Sequence, residues 1–393
     1  MFPLYIDFFS HISLTDRVKQ TFNGAGNGTK LLLLQIMESE YYGRDEVYLI
    51  LHKGYKPTDL IEEKIISAEY FKKVYVDNLE EINYAPGSVL FIPLVCGREM
   101  IVAEGLKKKY PELKIYGRIH DKNHNFPFDL YDRYYFNGWK RTGLYSMIDY
   151  FGKKVLFAFK YPAWIKCFDK VLTVSNYSLQ KLAHKNINFI NYYYQGILDY
   201  YSSRHEDEIK SGEEYILFVN GGRPEKNGLR SMEAFIKYKE MHPEDQIKMY
   251  VTSTKKDTQE ALLKKLRKNS SFKPNEILFF DFIEYERLQE LYVNSSFLLF
   301  ASKGEGFGLP VLESLYCGRP ILASWSTSIP EVAGSSVRYV NPLDIDSIAK
   351  GIEYFRNAEH IKFYEKAIIR RREIIDKQIQ EDAKMFIREL FEE

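Results

Sequence analysis

The sequence predicts an α/β protein with two doubly wound parallel sheets, each in its own domain. Short apolar stretches of strand length alternate with amphipathic stretches of helix length along most of the chain, which is typical of parallel strands joined by crossover helices. With 393 residues, the chain is longer than one hydrophobic core usually serves. A polar stretch at 196–214 separates the alternating pattern into two halves. We therefore expect one domain at 1–196 and a second at 213–376.

The composition excludes several classes of protein. Hydrophobic residues make up 45% of the chain and charged residues 28%, and the net charge of +1 gives no overall attraction for nucleic acid. Cys96, Cys167 and Cys317 have no paired spacing, which argues against a disulfide framework or a zinc site and fits a reducing compartment. The N-terminus lacks the basic segment of a signal peptide, and no run approaches the ~20 apolar residues that span a bilayer. These features predict a cytoplasmic protein, soluble or at most peripheral on the inner face of the membrane.

The first domain is predicted from a series of strand-like segments. The expected strands are 4–9, 47–51, 74–76, 89–92, 114–119, 168–175 and 188–193. After the first of them, Gly24, Gly26 and Gly28 form a predicted loop before an apolar helix at 31–37. Such a loop can turn its backbone N–H groups toward an anion, although by itself it is more often a plain connection. His120 and Asp121 follow the 114–119 strand, at the end of a strand where doubly wound folds bind ligands.

Residues 128–166 are rich in aromatic, Lys and Arg side chains, for which two interpretations remain open. They could form amphipathic helices that pack on the first domain, or a basic aromatic face that contacts anionic lipid. Packing is favoured, because aromatic side chains at helical spacing are more often part of a core.

The second domain begins with a strand predicted at 215–219, followed by a turn that contains Gly222, Arg223 and Lys226. The two cations are close enough in sequence to neutralise one diphosphate, although an isolated basic pair is more often a solvated turn. Further strands are predicted at 247–251, 277–280, 297–300 and 318–324. Asp344 and Asp346 open a helix, so capping is a better explanation for them than metal binding, and no catalytic metal is predicted.

The stretch 302–313 contains the strongest indication of function in the sequence. It follows the apolar run 297–300, contains three glycines, and leads through Pro310 into a helix. Backbone N–H groups at such a helix N-terminus favour an anion. Glu305 lies in the loop and Glu313 about one turn into the helix, where both can accept hydrogen bonds from hydroxyls. A ligand that is anionic in the middle and hydroxyl-rich at both ends, such as a nucleoside diphosphate sugar, would satisfy these groups together.

The segment Glu305-Gly306-Phe307-Gly308-Leu309-Pro310-Val311-Leu312-Glu313 resembles the signature of glycosyltransferase family 4, as found in bacterial polysaccharide mannosyl- and rhamnosyltransferases. The resemblance implies the GT-B fold, with two Rossmann-like domains facing a cleft and a last helix, about 377–393, that crosses back to the first domain. It also implies a retaining hexosyltransferase that needs no metal or cofactor. Its partners would be a nucleoside diphosphate sugar as donor and a glycan or lipid-linked glycan as acceptor, in cell-surface polysaccharide synthesis.

The resemblance also assigns site residues. Glu305 and His120 would contact hydroxyls of the donor sugar, Glu313 the ribose, and Lys226 the diphosphate. Members of the family often have Arg directly before this Lys, where this chain has Glu225, so Arg223 is the expected substitute. The remaining expected ligand contacts are backbone groups and glycines that clear space: Gly26, Gly28, Gly222, Gly306, Phe307, Gly308 and Leu309. Two alternatives stay open, namely a catalytically silent sugar-nucleotide or glycan binder, and another GT-B enzyme such as a phosphorylase.

Overall fold

A computed structural model describes residues 2–8, 24–43, 46–57, 59–95, 97–120, 159–182, 213–281 and 285–392, together with positions 152, 155 and 283. The predicted strand at 188–193, most of the polar stretch and residues 128–150 lie outside these ranges. The chain divides into two compact units. The first comprises residues 1–123, 155–198 and 376–393, and the second comprises residues 124–154 and 199–375.

The first unit contains a six-stranded parallel sheet. Its strands are β1 (Leu4–Asp7), β2 (Val47–His52), β3 (Phe71–Val76), β4 (Val89–Ile92), β5 (Lys114–Ile119) and β6 (Lys170–Thr173), in the order β3-β2-β1-β4-β5-β6. The helices described in this unit include Gly24–Glu38, Leu60–Ser67, Gly97–Lys109 and Asn176–Leu182. Apolar side chains from both faces of the sheet are buried against these helices. This explains why the strands were recognisable as continuous apolar runs.

The second unit repeats this architecture. Its strands are β7 (Tyr215–Phe218), β8 (Lys248–Val251), β9 (Ile277–Phe279), β10 (Phe297–Phe300), β11 (Ile321–Ser324) and β12 (Arg338–Val340), in the order β12-β11-β10-β7-β8-β9. Its helices are Gly228–Met241, Lys256–Leu266, Tyr285–Asn294, Leu309–Tyr316, Ile329–Ala333 and Ile345–Tyr354. The edge strand β12 was not predicted, because its three residues are too few to show a pattern. Asp344 caps the helix Ile345–Tyr354 as predicted, since its Oδ1 accepts a hydrogen bond from the Asp346 N–H at 2.9 Å.

Both sheets have the strand order of a classical dinucleotide-binding sheet. In each sheet, the second and third strands of the chain lie on one side of the first strand, and the last three lie on its other side. The strand order therefore reverses between β1 and β4 in the first sheet and between β7 and β10 in the second. The loops that leave two such neighbouring strands separate and open a crevice at the carboxyl ends of the strands. The loops after β7 and β10 are therefore placed to form a binding site.

The prediction of a glycine loop at 23–28 was wrong in part, because the helix already begins at Gly24. Gly26 and Gly28 thus lie in the first turns of the helix Gly24–Glu38. Glycine has a low intrinsic helix propensity, which is why these residues indicated a loop. Tertiary packing overrides that preference, since Leu32, Leu33 and Ile36 of the same helix are completely buried in the core of the first unit.

A buried charge cluster joins this helix to the next one. The Lys30 ammonium lies 2.6 Å from Asp59 Oδ2 and 2.5 Å from Glu62 Oε1, and Tyr55 donates a hydrogen bond to Glu62 Oε2 at 2.7 Å. Lys30 is 3% exposed and Glu62 fully buried. Burial, reinforced by Glu62, raises the pKa of Tyr55 far above its ordinary value, so this hydroxyl stays a donor. One ammonium thus pairs with two carboxylates in this cluster.

The last helix, Ala358–Phe391, belongs to both units. Tyr364 near its start packs in the core of the second unit, whereas Phe386, Ile387 and Leu390 near its end pack in the core of the first. Glu389 also accepts a 2.6 Å hydrogen bond from Lys170 at the start of β6. Across the described ranges, no helix is both long enough and apolar enough to span a membrane.

Candidate functional site

The loop after β7 turns sharply and presents Lys226. Residues Pro224–Lys226 form one turn of 3₁₀ helix, and Asn227 adopts a left-handed conformation with φ of +65° before the helix Gly228–Met241 begins. Asparagine tolerates this conformation better than most residues. Its side-chain amide donates to the carbonyls of Ala301 at 3.0 Å and of Pro342 at 2.6 Å. Asn227 thereby joins the β7 loop to the end of β10.

The glycines at the start of this loop are required for packing. A Cβ atom on Gly221 would lie 2.3 Å from Val251 Cγ1 and 2.7 Å from Thr254 Oγ1. A Cβ atom on Gly222 would lie 2.9 Å from the Ser253 carbonyl oxygen. Gly222 thus has a structural reason to be glycine, which is independent of the ligand-binding role predicted for it.

The loop after β10 leads into the helix Leu309–Tyr316. Gly308 precedes this helix with φ of +104°, a conformation that favours glycine, and Pro310 lies in the first turn as predicted. The helix dipole adds partial positive charge at this end. Pro310 has no N–H group, and the N–H groups of Val311 and Leu312 donate to the Gly308 carbonyl at 2.9 and 3.3 Å. The predicted residues Gly306, Phe307, Gly308 and Leu309 are all at or beside this N-terminus.

Lys226 and Glu305 meet where the two loops approach each other. Lys226 Nζ lies 2.6 Å from Glu305 Oε1, and their side chains are only 4% and 10% exposed. The ammonium also lies 5.0 Å from the centre of the Phe300 ring, in a cation–π contact. The Glu225 carbonyl accepts hydrogen bonds from the Lys303 N–H at 2.7 Å and from Ser302 Oγ at 3.0 Å, which joins the loops through the backbone. A paired cation and anion are thus held together at the N-terminal end of a helix.

Three consecutive hydroxyl residues after β11 hold residues 302–307, the part of the loop after β10 that contains Glu305 and that we call the glutamate loop. Ser326 Oγ donates to the Ser302 carbonyl at 2.8 Å, and Thr327 Oγ1 accepts from the Glu305 N–H at 2.9 Å. Ser328 Oγ donates to the carbonyls of Glu305 at 3.1 Å and Phe307 at 2.8 Å. We call Ser326, Thr327 and Ser328 the hydroxyl clamp.

Glu313, the second predicted carboxylate, lies in the helix Leu309–Tyr316 and is partly exposed. It accepts a 2.6 Å hydrogen bond from the hydroxyl of Tyr292, a fully buried residue of the helix Tyr285–Asn294. Cys317 lies one turn further along the chain. Burial, together with the Glu313 charge, raises the pKa of the Cys317 thiol far above its ordinary value, so this thiol is not a thiolate nucleophile at neutral pH.

If Glu313 binds the nucleotide, replacing Tyr292 with phenylalanine should weaken binding of nucleoside diphosphates. One lost hydrogen bond to a carboxylate corresponds to a Kd about ten-fold higher. Isothermal titration calorimetry with the nucleoside diphosphate that binds the wild type would measure this. Tyr215→Phe is the matched control, because Tyr215 is equally buried and donates its hydroxyl to the Leu291 carbonyl at 2.9 Å. Equal affinities in the two variants would contradict a role for Tyr292.

The remaining predicted residues are placed as follows. Arg223 is 62% exposed and forms an ion pair with Glu225. His120 follows β5 directly in the first unit, and its carbonyl accepts a hydrogen bond from Ser178 Oγ at 3.4 Å. Gly26 and Gly28 also belong to the first unit. Within the second unit, the structure therefore brings together Lys226, Glu305 and the glycine loop.

Sequence reasoning missed Asn227, Tyr292 and Thr327 as supporting residues. Asn227 stands directly after the predicted lysine, and Thr327 lies between the predicted strand at 318–324 and Pro330. These positions are a weak indication that Asn227 and Thr327 support the site. No such indication exists for Tyr292, because it is one aromatic residue in an amphipathic helix.

Part of the chain is similar in sequence to known proteins. Residues 200–373 match the family model described as Glycosyl transferases group 1, a range that includes Lys226, Glu305 and Glu313. The chain is 32% identical over 160 residues to the serotype-specific mannosyltransferase WbdA of Escherichia coli, covering 39% of this chain and 19% of that protein. It is 27% identical over 208 residues to the O-antigen chain mannosyltransferase RfbU of Salmonella typhimurium, covering 52% of this chain and 56% of that protein. The chain thus spans less than two thirds of either relative.

Solved structures resemble the chain over nearly its whole length. One, described as E. coli trehalose-6-phosphate bound with UDP-2-fluoro glucose, superimposes with a TM-score of 0.64 at 11% identity, covering 100% of this chain and 99% of that chain. At this identity the likeness concerns the fold. Together with the two six-stranded parallel sheets, it confirms the predicted GT-B fold with two Rossmann-like units.

Proposed function

We propose that this protein transfers a hexose from a nucleoside diphosphate sugar to a glycan or lipid-linked glycan during cell-surface polysaccharide synthesis, with retention of the anomeric configuration, as in glycosyltransferase family 4. The observation that carries the proposal is the buried pair of Lys226 and Glu305, 2.6 Å apart, beside the N-terminus of the helix Leu309–Tyr316. The match to group 1 glycosyl transferases and the O-antigen mannosyltransferase relatives support this reaction class and favour mannose as the sugar.

Each predicted residue has a role in this proposal. Lys226 and the helix N-terminus would hold the diphosphate and stabilise the charge that develops as it departs. Glu305 would accept hydrogen bonds from hydroxyls of the donor sugar, and Glu313 from the ribose. Arg223, which is exposed, would exchange its contact with Glu225 for a phosphate oxygen. For His120, Gly26 and Gly28 the family resemblance alone supports a role, a sugar hydroxyl contact for His120 and the diphosphate for the two glycines.

The proposed transfer step needs no covalent intermediate on the protein. The acceptor hydroxyl attacks the anomeric carbon from the face that the diphosphate leaves. The new bond joins the acceptor oxygen to that carbon, the bond from the carbon to the phosphate oxygen breaks, and the acceptor proton passes to the departing phosphate. The protein holds the reactants and stabilises charge, so we propose that the reaction requires neither a metal ion nor a cofactor. An acceptor that is lipid-linked would bring the protein to the inner face of the membrane.

The test is an assay of donor turnover. GDP-mannose, dTDP-rhamnose, UDP-glucose and UDP-N-acetylglucosamine would each be supplied with an extract of lipid-linked glycans as acceptor, with and without EDTA. The expected result is release of nucleoside diphosphate with one donor at a rate that EDTA leaves unchanged, and a product whose new linkage has the donor's anomeric configuration by NMR.

Other outcomes would support the two alternatives. Stabilisation by a nucleotide without product would indicate a silent binder, and sugar 1-phosphate formed only with inorganic phosphate would indicate a phosphorylase. A product with inverted configuration would contradict the proposed stereochemistry.

A further inference from the structure

Thr327 has a backbone conformation that is costly for its residue type. Its φ is +51°, in the left-handed region that glycine adopts freely and that β-branched residues almost always avoid. Such a conformation persists only where surrounding contacts enforce it, and it occurs most often at functional sites. Thr327 lies in the loop between β11 and the helix Ile329–Ala333.

The contact that Thr327 makes explains why the conformation is kept. Thr327 Oγ1 accepts the hydrogen bond of the Glu305 N–H at 2.9 Å, while the neighbouring Ser328 Oγ donates to the Glu305 carbonyl at 3.1 Å. Both backbone polar groups of Glu305 are therefore held by the hydroxyl clamp, and its side chain is held by Lys226. A glycine in place of Thr327 would remove the strain but would leave the Glu305 N–H without this acceptor.

Of the residues whose backbone the hydroxyl clamp contacts, Glu305 is the one held through both of its polar groups. Ser326, Thr327 and Ser328 contact the backbone of Ser302, Glu305 and Phe307, and Glu305 is bonded through both its N–H and its carbonyl. A carboxylate that must meet particular hydroxyls of a sugar needs its backbone fixed, since a displacement of about 1 Å can cost 10²-fold in rate.

From this geometry we infer that Thr327 is a positioning residue for Glu305, the glutamate that contacts the donor sugar in the proposed reaction. The inference rests on the proposed function. Thr327 itself touches no substrate and acts through the Glu305 N–H.

Two variants test the inference. Thr327→Val keeps the branched shape but has no acceptor, whereas Thr327→Ser keeps the acceptor. We expect kcat for sugar transfer to fall about ten-fold or more in Thr327→Val and to stay within about two-fold of the wild type in Thr327→Ser. The Kd for the free nucleoside diphosphate, which has no sugar for Glu305 to contact, should stay within about two-fold in both variants.

The readouts separate a positioning role from a general loss of structure. An unchanged kcat in Thr327→Val would overturn the inference, and so would a parallel loss of nucleoside diphosphate affinity, because the whole loop would then be disturbed. Hydrogen exchange gives a readout without activity, since the Glu305 amide should exchange faster in Thr327→Val than in Thr327→Ser. An active wild type with an unaffected Thr327→Val would end this inference alone, whereas a wild type that turns over no donor would end the proposed function as well.

Discussion

Replacing Lys226 with alanine is expected to lower kcat for sugar transfer about 10²- to 10³-fold, the loss typical for removing one group that stabilises charge in the transition state. The Lys226 ammonium is 4% exposed, pairs with Glu305 and lies over the Phe300 ring, so its charge acts in a poorly hydrated place. Steady-state kinetics with the preferred donor would measure the effect. An unchanged kcat would show that Lys226 takes no part in sugar transfer.

Removing Lys226 also leaves the Glu305 charge without its cation, so stability must be separated from catalysis. The double variant Lys226→Ala with Glu305→Gln contains neither charge and should fold at least as well as Lys226→Ala alone, yet it should remain inactive. Lys239→Ala is the matched control, because Lys239 is 4% exposed and pairs with Glu276 at 3.2 Å within the same unit. This control removes a comparable buried cation and should retain kcat.

The second large effect concerns stability. Replacing Lys30 with methionine should lower the free energy of unfolding by about 3–5 kcal/mol, because it removes the cation that pairs with the fully buried carboxylate of Glu62 and with the 30% exposed carboxylate of Asp59. Urea denaturation of the full chain, followed by circular dichroism, would measure the change. The exposed pair of Lys72 and Glu46 provides the control, and Lys72→Met should leave the urea midpoint almost unchanged. A similar midpoint for the two variants would contradict a structural role for the buried cluster.

The same cluster predicts a dependence of stability on pH. Burial alone would raise the pKa of Asp59, but its hydrogen bonds from Lys30 and from the Glu62 N–H outweigh this and hold the pKa below the ordinary 3.8. A carboxyl whose pKa is lower in the folded state stabilises the fold fully above 3.8, and the stabilisation is lost as the pH falls through the lowered value. Urea midpoints measured from about pH 5 to about pH 3 should therefore fall more steeply for the wild type than for Lys30→Met.

The features that were predictable from sequence are local ones. The bounds of β4 and β10 follow from short apolar runs whose residues are buried on both faces of a sheet. The glycine-rich stretch that contains Glu305, together with Pro310, specifies a strand, a loop and a helix within a dozen residues. The ligand-binding and catalytic roles expected for all the site residues, including Lys226, Glu305 and Glu313, remain predictions.

Where local preference and packing conflicted, the prediction was wrong. Gly24, Gly26 and Gly28 suggested a loop, but they lie in the helix Gly24–Glu38, whose Leu32, Leu33 and Ile36 are buried in the core. A strand of three residues, β12, gave no pattern of its own and is formed by pairing with β11.

The sequence by itself determined the class of fold and the presence of two domains of alternating strands and helices. It also determined which glycines and carboxylates lie in the stretch 302–313. Only the tertiary structure decided which distant residues complete the site. Lys226 and Glu305 are 79 residues apart in the chain and meet because β7 and β10 are neighbours in the sheet. Tyr292 reaches Glu313, and Thr327 reaches Glu305, through the same arrangement of elements. Strand order arises from packing of the whole chain, so no local pattern of residues could reveal these contacts.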